Sequence, residues 1–166
     1  MQEVVAGTDR FLLKALGEAA GELRNLLYAG SSSDLLEPGT GADEDWCLLS
    51  IAVHLRNVEW ATGEQIDAIM SNPKATIAHV DLDDIPLRED YATVDISEAL
   101  VSFRHARQQT SYALWGLLSE EWQRTGLHPY RGEIAVIDLA RDLYKHDLEH
   151  LWQARRLLGL GAPTQR

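Results

Sequence analysis

The chain has 166 residues, 45% hydrophobic and 25% charged, which suits one globular domain over 1–166 that buries a core without a structural metal. A formal net charge of −11 with no long Lys/Arg run argues against nucleic acid as a partner, because replacing phosphate counterions needs clustered cations. Cys47 is the single cysteine, so an internal disulfide is excluded and a reducing, cytoplasmic setting is expected.

The N-terminal MQEVVAGTDR lacks the basic region and apolar run of a secretory signal. No stretch approaches about 18 uninterrupted apolar residues, so no membrane association is expected. The first helix is predicted over 8–29, from the spacing of Leu12, Leu16, Ala19, Leu23 and Leu26. Thr8 or Asp9 would cap it, and Gly30 would end it. GSSSDLLEPGTGADED then reads as an exposed loop, whose acidic end, Asp43 to Asp45, suits the positive end of a helix dipole.

A second helix is predicted over 44–71, with Cys47, Ile51, His54, Val58 and Ala61 on its inner stripe. The connection over 72–94 holds Pro73, Pro86 and the acidic group Asp81, Asp83 and Asp84. A calcium loop beginning at Asp81 would need Gly at its sixth position and Glu at its twelfth. Pro86 and Ala92 stand there, so a solvated loop is expected. The third helix is predicted over 95–122, with Asp95 and Glu98 resembling a capping box and Ile96, Leu100, Phe103, Thr110, Leu114 and Leu117 facing inward. RHAR at 104–107 and ARR at 154–156 read as solvated helix edges. RTGLHPYRGE breaks the third helix, and the fourth is predicted over 133–159, with APTQR frayed beyond it. No strand pair is expected. The architecture is therefore all-α, a four-helix bundle. The long link between helices 2 and 3 permits those helices to run parallel, giving an up-down-down-up order.

His146 and His150 in HDLEH are four residues apart, about 40° round a helix, and lie at the edge of its apolar arc. His54 sits mid-stripe on the second helix, where a buried imidazole needs a hydrogen bond or an ion. Facing helices of bundles build metal sites in this way, so His54, His146 and His150 are the candidate ligands, with a fourth position open. A hydrogen-bonded core histidine and a surface pair are the alternatives. HDLEH is not a protease motif. Asp147 and Glu149 point about 80° to either side of the ligand direction and are flanking residues, candidates with Gln153 for orienting the ligands. Cys47 lies about 10 Å along the axis from His54 and reads as packing. His79 and His105 read as a loop and a helix-surface residue, and His128 as a bundle-end residue whose role the sequence leaves open. Trp46, Trp60, Trp115, Trp122 and Trp152 read as packing or interface.

DWCLLSIAVHLRNVEWATGEQI resembles the second-helix signature of the DinB/YfiT-like family, a tryptophan near the helix start followed by an apolar-His-Leu motif. HPYRGEIAVIDLARDLYKHDLEHLWQARRLL resembles its last helix, a Gly-containing turn and an apolar run before H-D-x-x-H and a Gln. Together these cover about a third of the chain. The resemblance implies an up-down-down-up bundle, often a homodimer. It also implies a divalent ion, zinc or nickel, on His54, His146 and His150. Relatives of this kind include thiol-dependent transferases and isomerases using bacillithiol or mycothiol, metal-dependent hydrolases and damage-inducible proteins. The expectation is an enzyme acting on small molecules, a low-molecular-weight-thiol S-transferase. The alternatives are hydrolysis by activated water and a non-catalytic metal-binding stress protein.

Overall fold

The computed structural model describes residues 2–82, 91 and 93–161. Its helices are α1 (Gln2–Ala29), α2 (Leu48–Ser71), α3 (Ile96–Trp115) and α4 (Val136–Leu157). An antiparallel hairpin, β1 (Thr125–His128) and β2 (Gly132–Ala135), precedes α4. Among the described residues no helix is long and apolar enough to cross a membrane.

The buried side chains form two clusters, one at each end of the bundle. The lower cluster draws on Leu12 and Leu16 of α1, Ile66 and Ile69 of α2, Leu114 of α3, and Val136 and Leu143 of α4. The upper one draws on Leu23 and Leu27 of α1, Leu48 and Ile51 of α2, Leu100 and Phe103 of α3, and Leu151 and Ala154 of α4. As the chain advances, α1 and α4 therefore rise from the lower cluster to the upper, while α2 and α3 descend. This is the up-down-down-up order. α1 packs chiefly on α4, and α2 on α3, so the closest neighbours are parallel. The 24 residues of α2 span about 36 Å, and the connection over 72–95 carries the chain back along that length.

Local chemistry moves several boundaries from their expected places. α1 already runs from Gln2, so Asp9 lies inside the helix instead of capping it. Cys47 is extended (φ −131, ψ 169), and its Sγ accepts from the Ser50 N–H while Ser50 Oγ accepts from the Cys47 N–H. This capping box delays α2 to Leu48 and makes buried Cys47 a cap, not an inner-stripe residue. Asp95 caps α3 through the Ser97 and Glu98 amides, as its position predicts. α3 stops at Trp115, short of 122. The chain turns at Gly116, and Trp122 plugs the lower core.

The hairpin corrects the expectation of no strands. Its arms have only four residues each, too few to display a period against the helical pattern beside them. Gly132 supplies a φ of +74 after the turn. At Gly126 a Cβ would come within 2.8 Å of Ile69 and Ile77, so only glycine lets β1 lie against the bundle end. Asp81 is exposed, as a solvated loop requires, whereas Asp83, Asp84, Pro86 and Ala162 to Arg166 lie outside the described residues.

Between the two clusters lies a charge centre built on Arg107, which RHAR suggests should sit at a solvated helix edge. Arg107 is buried, not at a helix edge. Its guanidinium donates to Glu59 of α2 (Nε–Oε2 2.9 Å), to both oxygens of Asp147 of α4 (2.8 and 3.1 Å) and to the Leu16 carbonyl of α1 (2.8 Å). One α3 side chain thus ties all four helices.

Candidate metal centre

α2 carries His54 and α4 carries His146 and His150 on their inner faces, just above the charge centre. All three rings are buried, and one nitrogen from each lies within 4.8 Å of the others. His54 Nε2 and His146 Nε2 are 2.8 Å apart, and the ring centroids lie 4.4 to 4.9 Å from one another. The four-residue spacing sets His146 and His150 on one face, and the crossing of α2 over α4 brings His54 to them.

Each ring has a distinct environment. Gln153 Oε1 accepts from His150 Nδ1 at 2.7 Å, which places the proton on Nδ1 and leaves the Nε2 lone pair for the cluster. Gln153 Nε2 in turn donates to Asp43, which is clamped by Arg156 through bonds of 2.7 and 2.9 Å. Arg156 holds the Asp43 carboxyl below its usual range. The Leu82 carbonyl lies 3.0 Å from His54 Nε2, the atom that also faces His146 Nε2, so it covers the edge the two rings share. His146 Nδ1 is buried without a hydrogen-bond partner. The Trp46 ring stands 5.2 Å from both His54 and His150 and shields that side from water.

Two of the flanking candidates lie elsewhere. Asp147 faces away from the imidazoles into Arg107, and Glu149 is exposed. Gln153 is the one that touches a histidine. His128 does not join the cluster. Its Nδ1 accepts the Tyr130 and Arg131 amides, so it fastens the hairpin turn, and its Nε2–H faces His79 at 3.2 Å. His79 and His105 are exposed. Asp43 and Trp46 were not singled out by sequence reasoning as parts of a site. A usable signal existed for Trp46, the tryptophan that opens the DinB/YfiT-like second-helix signature ahead of His54.

Burial, then the neighbouring imidazoles, push His146 down to about 2 and His150 down to about 4. Both are therefore neutral at pH 7, the state that donates a lone pair to an ion. Burial pushes Asp147 up to about 6 against the pull of Arg107. Arg107 itself stays above its ordinary value, because Asp147 and Glu59 outweigh the effect of burial.

These values fix a pH dependence. Between about pH 6.5 and 4 the unfolded chain takes up two histidine protons that the native state refuses, so stability falls as pH falls. Asp147 works in the opposite direction between about 3.8 and 6, with one proton against two. The denaturation midpoint of metal-free protein should therefore drop from pH 7 to pH 5. A flat midpoint would exclude neutral, buried imidazoles.

The donor set fits a divalent ion: three buried imidazoles, two of them neutral at pH 7 and one with its tautomer fixed by a hydrogen-bonded chain. Among the described residues no protein carboxylate joins them.

YfiT from Bacillus subtilis, described as a probable metal-dependent hydrolase with an unusual four-helix bundle topology, matches this chain with a TM-score of 0.74 at 17% identity. The match covers 92% of this chain and 89% of YfiT. TT2238, described as a four-helix bundle protein, matches with a TM-score of 0.64 at 19% identity over 89% and 98% of the two chains. No protein-family profile and no curated protein matches the sequence. At these identities the likeness establishes the shared bundle fold.

Proposed function

We propose that His54, His146 and His150 hold a divalent ion, zinc or nickel, and that the protein is a metal-dependent enzyme acting on small molecules. Within that class we propose a thiol S-transferase using a bacterial thiol of the bacillithiol or mycothiol kind, with a homodimer as the working form. The observation that carries the reading is the convergence of three buried imidazoles within 4.8 Å. The DinB/YfiT-like sequence resemblance supports it, and the fold shared with YfiT agrees.

An ion held there would supply Lewis acidity, bringing the pKa of a thiol or of water towards neutrality. The chain's own residues do the rest. Gln153 and Asp43 fix the His150 ring, Trp46 keeps water from one side, and burial keeps His146 and His150 unprotonated. The carboxylates nearest in sequence are unsuited to act as a base. Asp147 is held by Arg107, and Glu149 is exposed. Neither a thiol nor water needs a carboxylate base once its pKa has fallen, so the choice of sulfur rests on the DinB/YfiT-like resemblance. The likeness to YfiT favours hydrolysis as the second reading.

Metal-loaded protein should transfer bacillithiol or mycothiol to an alkylating electrophile about 30-fold faster than metal-free protein. That factor is the gain in thiolate at pH 7 when a thiol of pKa about 8.5 is fully deprotonated. Equal rates with and without metal would reject the chemistry. Metal-dependent ester cleavage without thiol transfer would establish the hydrolytic reading.

A further inference from the structure

A cavity of about 360 Å³ opens between α1 and α3, on the flank of the bundle away from the histidines of α2 and α4. Its α1 wall is nearly bare, made by Gly17, Ala20 and Gly21 at one-turn spacing, and a Cβ built at Gly17 or Gly21 would meet nothing within 4 Å. Its floor is Arg107, whose N–H groups are engaged by Glu59, Asp147 and Leu16. Two further guanidiniums, Arg24 and Arg104, line the cavity, and neither pairs with a described carboxylate. Gln108 and Ser111 add hydrogen-bonding groups, and no carboxylate lines the cavity among the described residues.

The antiparallel course of α1 and α3 gives the cavity two unlike ends. Arg24 lies in the second half of α1 and Arg104 in the first half of α3, so both belong to the upper end. Tyr112 and Trp115 lie at the lower end, about 12 to 16 Å along α3 from Arg104. They are 80% and 75% exposed, which leaves their rings available as a lid or a stacking surface. The crevice on the other side of α3 is lined by Glu59, Glu64 and Asp67 and by no basic residue. In a chain of net charge −11, an anion therefore finds attraction on one side of α3 and repulsion on the other.

We infer that this cavity binds a small amphiphilic anion, with its carboxylate or phosphate on Arg24 and Arg104 and its flat apolar body against the glycine wall, towards Tyr112 and Trp115. Guanidiniums recognise either anion with paired hydrogen bonds, and the aromatic rings accept an unsaturated body.

Calorimetric titration of the metal-loaded protein with 2-naphthoate, 2-naphthyl phosphate and 2-naphthylmethylammonium tests this inference. Either anion, or both, should bind, and the ammonium should bind at least about tenfold more weakly. Which anion binds tighter identifies the headgroup. Gly21→Leu extends a side chain into the cavity from a position where a Cβ meets nothing within 4 Å, and the pair Arg24→Gln with Arg104→Gln removes the charges. Each should weaken anion binding at least about tenfold. His54→Ala should leave binding unchanged, separating the cavity from the histidine cluster. Absence of binding by both anions at millimolar concentration would overturn the inference, as would equal binding of anions and ammonium. Anion affinity that survives Gly21→Leu and the double glutamine variant, or that disappears in His54→Ala, would overturn it as well.

Discussion

Arg107→Met should lower the free energy of unfolding by about 3–5 kcal/mol, the range for breaking a buried ion pair from one side. In a chain of this length that is on the order of 10 °C in Tm. The loss comes from what stays behind. Glu59 and Asp147 have side chains 0% and 1% exposed, and they would face each other across a methionine. The Leu16 carbonyl would lose a donor. The centre already holds two carboxylates against one guanidinium, and Glu59 Oε1 has no hydrogen-bond partner, so little spare compensation exists. Removing all three charges together, as Arg107→Met with Glu59→Met and Asp147→Leu, should recover most of the stability, because an apolar set of similar volume carries no desolvation cost. Urea titrations of the single and triple variants check both statements. A single variant within about 1 kcal/mol of the parent chain, the scale of an exposed ion pair, would show that the centre is not a buried one.

His54→Ala should abolish stoichiometric metal binding, with the helical circular dichroism retained. Elemental analysis of the parent protein should find about one divalent ion per chain. His54 is the only one of the three imidazoles contributed from outside α4, so its loss leaves two donors on one helix face. Affinity should fall more than about 100-fold, beyond the 10- to 100-fold effect of losing an outer partner. Gln153→Ala provides that comparison. It frees the His150 ring without removing a donor and should fall within the smaller range. The fold should survive because the core clusters lie above and below the site and a chain of this size does not need the ion to fold. Full occupancy in His54→Ala would exclude the three-histidine centre.

Much of this arrangement is legible in the sequence because helical periodicity is a local property. The apolar stripes give four helices, and the long second connection gives room for parallel neighbours. His146 and His150 declare a shared face by their spacing alone, and His54 declares itself by standing in an apolar stripe. What the sequence hides is pairing across helices. Arg107 fills the gap between Phe103 and Thr110 in the inward stripe of α3, yet an arginine there reads as surface until its partners are known. Those partners stand 48 and 40 positions away, at Glu59 and Asp147. Asp43 is similar. Its acidic neighbours suggest a helix dipole, whereas Arg156, 113 positions later, holds it. The hairpin is hidden for another reason, since four-residue arms are shorter than the window in which a period can be counted.

The pairing of α1 with α4 has a consequence for synthesis. Residues 30–135 separate the two helices, so the apolar face of α1 emerges from the ribosome long before its main partner exists. At 5–20 residues per second the interval is about 5–20 s. During that time α1 can rest only provisionally on α3, or on whatever else is near. Nascent chains stalled before α4 should therefore be the species most dependent on chaperones, and the bundle closes only when its last helix is released.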